Sequence, residues 1–317
     1  MIAVTIPAFK TKINIESVLA NIGPEVGRIY VIDDGCPDHT GNFVLDNITD
    51  KRIEVIFHTK NMGIGAAILT GYKKAIKDGC EIIVKIDSDG QMNPKLINAF
   101  IQPLIDGVAD YTKGNRFSSY KDIRMMPLIR IFGNMALSLI TKFSSGYWNI
   151  FDPTNGFTAI RAEVASELVN EKIAKGYFFE SDLLFWLYIT GARVQDIPMK
   201  AIYQDEKSSL SVFKMIPYFL FMNIKNFFKR IFITYFIRDL SIHGISLISG
   251  ILLLLFGISF GAYSWKLSIM NNTIASSGTV MLAALPVILG LQLLIYFFAH
   301  DIQNYPKSII RKISKNQ

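Results

Sequence analysis

Residues 82–91 read Ile82-Ile83-Val84-Lys85-Ile86-Asp87-Ser88-Asp89-Gly90-Gln91. A short, mostly β-branched run leads into two carboxylates two residues apart and a glycine. Such a run suits a strand buried on both faces. The carboxylates then leave the strand in a turn, where they can converge on one hard cation. Mg²⁺ and Mn²⁺ take oxygen ligands of this kind and keep phosphate oxygens and water as the rest of their shell. Three similar runs come earlier, at residues 2–6, 29–32 and 53–57, with helical patterns at residues 15–22 and 66–77 between runs. This alternation predicts an α/β fold with a mostly parallel sheet and the N-terminal strand inside it. In such a sheet, ligands gather at the carboxyl ends of the strands.

The other chemistry-bearing segments fall at those ends. The second run closes on Asp33-Asp34-Gly35, followed by Pro37, Asp38 and Thr40. These carboxylates can accept from a ribose or a base N–H; the same residues also make an ordinary turn. Asn61-Met62-Gly63-Ile64-Gly65-Ala66 opens a helix, and glycines there allow close backbone approach to an anion, or simply a helix entry. His39, His58, His243 and His300 are scattered, without metal or triad spacing, and read as structural or surface groups. Cys36 and Cys80 form no disulfide framework and read as reduced.

Beyond about residue 210 the chain becomes strongly apolar. Residues 244–263 (GISLISGILLLLFGISFGAY) and 279–299 (TVMLAALPVILGLQLLIYFFA) carry no charge, and each reaches the length a helix needs to cross hydrocarbon. Half of the 317 residues are hydrophobic, with mean hydropathy +0.31 and net charge +7. The basic balance admits nucleic acid, an anionic membrane or phosphate-bearing substrates. Lys225, Lys229, Arg230 and Arg238 precede the first span; Lys307, Arg311, Lys312 and Lys315 follow the second. The link at residues 265–277 has only Lys266. Both ends are therefore expected in the cytoplasm at the inner membrane, and no nucleic-acid partner is needed. Met1 leads straight into a strand-like run, so no signal peptide is expected. Residues 212–237 and, more weakly, 125–143 mix aromatic and basic residues, the pattern of helices lying at the headgroup level.

Together these segments resemble the family 2 glycosyltransferases of GT-A fold, nearest to the dolichyl- or polyprenyl-phosphate mannose and glucose synthases. The resemblance covers nearly the whole chain. Pro7-Ala8-Phe9 is similar to the opening nucleotide-contacting segment, Asp33-Asp34-Gly35 to the second motif, and Asn61-x-Gly63-x-Gly65 to the third. Asp87-Ser88-Asp89-Gly90-Gln91 is similar to the metal motif, Gln91 included. Lys113-Gly114-Asn115-Arg116-Phe117, Asp152-Pro153-Thr154-Asn155-Gly156-Phe157 and Phe179-Glu180-Ser181-Asp182 resemble the acceptor-side segments. The chain departs from the family at Phe9-Lys10-Thr11, where Tyr-Asn-Glu is frequent, and in residues 203–209, where Lys207 stands in for an arginine.

The resemblance implies a Rossmann-like GT-A domain over residues 1–210, interfacial helices over 211–241, two membrane helices over 242–300 and a basic tail over 301–317. It implies an inverting hexosyl transfer from a GDP- or UDP-sugar to a polyprenyl phosphate at the bilayer. A divalent metal, Mg²⁺ or Mn²⁺, is expected on Asp87, Asp89 and Gln91. The donor is expected against Pro7, Ala8, Phe9, Asp33, Asp34, Gly35, Asn61, Gly63, Asp87, Ser88 and Asp89. Arg116, Arg124, Arg130 and Lys207 are expected at the acceptor phosphate, with Asp152, Glu180 and Asp182 shaping the acceptor side as catalytic residues. A homo-oligomer is left open. Two other readings compete: transfer to a sugar hydroxyl, and a non-catalytic nucleotide-binding scaffold. Processive synthases carry more spans and a Gln-x-x-Arg-Trp segment, neither found here; the intact Asp87-x-Asp89 argues against the scaffold.

Overall fold

A computed structural model of the chain describes residues 1–118, 128–200 and 212–310. Seven strands form one sheet: β1 Ile2–Ala8, β2 Arg28–Asp33, β3 Ile53–Phe57, β4 Ile82–Lys85, β5 Tyr111–Asn115, β6 Thr158–Arg161 and β7 Val194–Pro198, in the order β3-β2-β1-β4-β6-β5-β7. The sheet is mostly parallel, as its apolar runs predict; β6 alone lies antiparallel to both its neighbours, β4 and β5. The helices are α1 Lys12–Ala20, α2 Thr40–Asn47, α3 Ile64–Lys77, α4 Ile97–Ile105, α5 Leu128–Ser145, α6 Ala162–Leu168, α7 Phe179–Thr190, α8 Val212–Phe232, α9 Ile242–Met270 and α10 Ser277–Gln303. The core is built from Val4, Ile6, Val31, Val84, Ile86, Phe100 and Phe157, with the last two rings stacked at 3.9 Å.

The site follows from the strand order. β1 is flanked by β2 on one side and β4 on the other, so the connections run outward in opposite directions and leave a crevice at their carboxyl ends. Ala8 pairs with Asp33, so β1 and β2 end level; β4 ends three residues lower, with Lys85 opposite Thr5, and the residues after Lys85 run on beside the end of β1.

The chain divides into two compact units, Met1–Phe227 with Pro306–Gln317, and Phe228–Tyr305. The first boundary lies inside α8, which is one continuous helix rather than several interfacial pieces. In the first unit, α5 and α8 pack through Phe143 against Phe227, and Ser144 Oγ donates to Asn223 Oδ1 at 2.5 Å. Their outer faces are apolar and exposed, Phe132 by 67% and Phe221 by 66%, with Met135, Leu139, Ile216 and Ile224 beside them. The backbone N–H of Ile310 donates to the buried Asp110 at 2.9 Å, so part of the tail belongs to this unit.

In the second unit, α9 and α10 extend past the apolar windows, and the link shortens to residues 271–276. Their most apolar windows are only 17% and 11% buried. Core helices of a soluble protein would be mostly enclosed, so these are two candidate membrane helices. They meet at small residues: a Cβ on Gly290 would lie 2.8 Å from Gly250 O, and one on Gly257 2.8 Å from Ala283 O. Arg230 differs from the headgroup cation its sequence position suggests. It is fully buried and bidentate to Asp301 at 2.7 and 2.9 Å, with the Tyr235 hydroxyl donating to the same carboxylate at 2.9 Å.

Candidate functional site

At the crevice, the two carboxylates at the end of β2, Asp33 and Asp34, are held by backbone N–H groups. Asp33 is buried and accepts from the N–H groups of Cys36 and Gly41, both at 2.7 Å. Asp34 accepts from Met62 N at 2.9 Å and Gly63 N at 2.8 Å, and His58 Nδ1 lies 2.7 Å from it. His58 Nε2 is 2.9 Å from Thr70 Oγ1, which gives that histidine a structural place. Charge-assisted bonds of this kind fix a turn firmly. Asp33 thus fixes the turn into α2, and Asp34 brings residues 62 and 63 beside the end of β2. Gly35 has φ +64°, and a Cβ there would lie 2.5 Å from the carbonyl carbon of Lys60, so only glycine lets the two turns touch.

Gly63 (φ +94°) admits the chain's own backbone: a Cβ would meet Lys175 O at 2.5 Å, and Gly65 N donates to the same oxygen at 2.8 Å. The close approach that the glycines permit is thus to residues 174–176. On the other side of β1, Ser88 Oγ donates to Pro7 O at 2.7 Å, which ties the Asp87-Ser88-Asp89 turn to Pro7-Ala8. Gln91 N donates to Asp89 Oδ1 at 2.9 Å. Phe9 stands exposed at the rim.

A second set of charges adjoins this turn. Lys85, only 2% exposed, places Nζ 2.7 Å from Asp87 Oδ1 and donates to Glu180 Oε1 at 3.1 Å. Burial opposes its charge, but the two carboxylates outweigh that and raise its pKa. Arg116 grips Asp152 with Nε at 2.7 Å and the guanidinium NH2 at 2.9 Å, a bidentate pair whose carboxylate is fully buried. Asp182 accepts from Ala174 N at 2.7 Å and from the Asn226 amide on α8 at 2.8 Å. It joins the 174–176 loop to α8. Arg124 and Lys207 lie outside the described residues, as does the side chain of Arg130.

The sequence model of one family, described as glycosyl transferase family 2, matches residues 10–169, half of the chain. The chain belongs to this family. Among curated relatives of this glycosyltransferase is the UDP-N-acetylglucosamine–dolichyl-phosphate N-acetylglucosaminyltransferase of Methanococcus voltae, 29% identical over 238 residues, 71% of this chain and 94% of the relative. The polyprenol monophosphomannose synthase of Mycolicibacterium smegmatis is 29% identical over 202 residues, 62% of this chain and 75% of that one. Among solved structures, glucosyl-3-phosphoglycerate synthase from Mycobacterium tuberculosis, in complex with Mn²⁺, UDP and glucosyl-3-phosphoglycerate, superposes with TM-score 0.53 at 19% identity, over 73% of this chain and 79% of that one. That likeness shows the GT-A fold. The expectation of a family 2 glycosyltransferase resembling the polyprenyl-phosphate sugar synthases is met.

Two charged residues beside the charge cluster of this glycosyltransferase, Lys113 and Asp196, were not among the expected site residues. Lys113 on β5 is fully buried, donates to Asn155 O, and has its pKa pushed down to about 8, chiefly by burial. Asp196 on β7 accepts from Asn115 Nδ2 at 2.8 Å and Phe151 N at 3.1 Å, so it anchors the start of the loop that carries Asp152. Burial pushes its pKa up to about 6. A lysine ending an otherwise apolar buried strand is a signal that singles out Lys85, but β5 (Tyr-Thr-Lys-Gly-Asn) and β7 (Val-Gln-Asp-Ile-Pro) offer no such contrast. The raised Asp196 pKa has a stability consequence. Between its ordinary value of 3.8 and about 6 the folded state holds a proton that the unfolded state has lost, so stability falls as pH rises through that window. Asp196→Asn is expected to remove that component. The Tm difference, variant minus wild type, should grow between pH 4.5 and 7 in thermal melts; a constant difference would refute the assignment.

Proposed function

We propose that this enzyme transfers a sugar from a nucleotide sugar to the phosphate of a polyprenyl phosphate at the membrane surface. One observation carries the reading. A single compact unit combines the Asp87-x-Asp89 turn, the Arg116–Asp152 pair and two helices with exposed apolar outer faces. A soluble acceptor needs no such faces; a lipid acceptor does. The two relatives named for dolichyl- and polyprenol-phosphate chemistry support it. The chain leaves this unit at Phe227 and rejoins it at Pro306 after two apolar helices, as two crossings of a membrane require. The basic residues flanking those helices favour the cytoplasmic face for the catalytic unit.

The residues fit a divalent metal. Asp87 and Asp89 offer hard oxygen donors at a strand end, next to a turn pinned by Ser88 and Gln91. Among the described residues no group of three or more His, Cys, Asp or Glu converges. That suits an ion that takes the rest of its shell from a diphosphate and water. Asp87 and Asp89 would hold Mg²⁺ or Mn²⁺ with Gln91 alongside, and the ion would supply neutralising charge for the departing diphosphate. Pro7, Ala8, Phe9 and Ser88 line the donor crevice; Asp33, Asp34, Gly35, Asn61 and Gly63 build its walls.

The acceptor phosphate is anionic at neutral pH and needs orientation more than deprotonation. Asp152, Glu180 and Asp182 therefore act by placing cations and loops, not as a general base. A single displacement inverts the anomeric carbon. Arg116, aimed by Asp152, is the phosphate-orienting cation, with Arg124, Arg130 and Lys207 as further candidates. Arg116→Lys keeps the charge and loses the fork. It should raise the KM for prenyl phosphate roughly tenfold or more while leaving donor hydrolysis unchanged, since one charge-assisted bond contributes about 1.5–3 kcal/mol. An unchanged KM would remove Arg116 from the acceptor site. The reading as a whole is tested by incubating membranes with radiolabelled UDP- and GDP-sugars, polyprenyl phosphate and Mg²⁺ or Mn²⁺. Label should enter the organic phase; label found only as free sugar would refute it.

A further inference from the structure

We propose that Lys85 is a positioning residue of the transfer reaction: it fixes the Asp87 carboxylate and locks it to the acceptor side through Glu180. The inference rests on the reading of the Asp87 turn given above. Lys85 ends β4, whose other residues, Ile82, Ile83 and Val84, belong to the buried core. In register beside it stand Thr5 on β1 and Thr158 on β6, with Lys113 one strand further on. An ammonium sealed in the middle of a sheet is costly unless its charge is matched. Its matches come from two distant segments: Asp87 at 2.7 Å, two residues along, and Glu180 at 3.1 Å, in the first turn of α7 and 95 residues away.

A third segment closes on the same atom. Gly156, in the loop that begins at Asp152, lies so near that a Cβ on it would collide with both Lys85 Nζ and Asp87 Oδ2. The donor-side turn, the acceptor-side loop and the start of α7 thus meet at one buried cation. A carboxylate held only by solvent samples several rotamers; one paired to a fixed ammonium does not. Lys85 therefore sets Asp87 before any donor arrives and carries that setting to Glu180 and Gly156.

The test uses the full chain in detergent or nanodiscs and four variants: Lys85→Met, Lys85→Arg, Glu180→Gln and the double Lys85→Met/Glu180→Gln. Mn²⁺ binding with UDP or GDP present is followed by electron paramagnetic resonance, alongside Tm and transfer rate. Lys85→Met should weaken Mn²⁺ binding about tenfold and lower kcat/KM about 100-fold, a loss comparable to removing one preorganised contact. Lys85→Arg should recover most of both. The double variant should be no worse than Lys85→Met alone, because the two residues act through one contact. Mn²⁺ binding and transfer at wild-type level in Lys85→Met, or losses that add in the double variant, would overturn the proposal. Should Lys85→Met fail to fold, Glu180→Gln decides, and a wild-type result there overturns it equally. Mn²⁺ binding judges Lys85 even if the wild type transfers nothing to prenyl phosphate, so the two failures are distinguishable.

Discussion

Asp89→Ala is expected to lower kcat by roughly 10²–10³-fold or more while the protein stays folded and membrane-bound. Asp89 follows β4 in a partly exposed turn, where its carboxylate accepts from Gln91 N at 2.9 Å. Losing that bond costs stability only about 1 kcal/mol. Asp89 is one of the two carboxylates that would hold the divalent ion, so its loss would weaken that hold and with it the positive charge the ion would supply to the departing diphosphate. Chelator should abolish wild-type turnover to the same degree, and excess Mn²⁺ should restore the wild type but not the variant. Turnover of labelled nucleotide sugar, with circular dichroism as the folding control, measures this. Full activity in Asp89→Ala, or in chelator, would exclude the metal role.

Phe221→Glu is expected to separate the two substrates. Phe221 sits on the outer face of α8, 66% exposed, with the exposed Tyr218 and Ile224 three residues to either side. A long prenyl chain stays in the bilayer because each CH₂ exposed to water costs about 0.8 kcal/mol. On the proposed function the site must come to the headgroups, and the exposed apolar faces of α5 and α8 would bring it there. Replacing a phenylalanine worth about 1.5–3 kcal/mol of burial with a charge should cut transfer to long prenyl phosphates about 10–100-fold. Metal-dependent donor hydrolysis should be unchanged. Phe227 is the wrong probe, since it packs on Phe143 and a charge there would strain the domain itself. Equal loss of both activities in folded Phe221→Glu, or loss of neither, would refute the docking role.

The first four strands were legible because each carries a run of apolar, mostly β-branched residues interrupted at most once. The next three were not, and the reason is specific. Lys85 pairs with Thr158, Thr158 with Lys113, and Lys113 with Asp196, so a polar row crosses β4, β6, β5 and β7. In β4 the polar residue ends an apolar run, whereas β5, β6 and β7 are short strands in which polar residues leave no apolar run to read. Lys113-Gly114-Asn115 was recognisable only by its likeness to the family. The site was legible as a set of residue types but not as a set of pairs. Asp152 meets Arg116 across 36 residues, Asp182 meets Asn226 across 44, and Lys85 meets Glu180 across 95. Nothing in a linear pattern distinguishes a carboxylate that faces a ligand from one that, like Asp33, binds two backbone N–H groups.

The most direct test of the account compares two acceptors that differ by one group. Purified enzyme in nanodiscs receives labelled nucleotide sugar and divalent metal, with polyprenyl phosphate or with the free polyprenol of the same length. A phosphate nucleophile predicts an acid-labile glycosyl phosphate lipid from the first and no lipid product from the second. Equal glycosylation of the polyprenol, or a lipid product that survives mild acid, would contradict it.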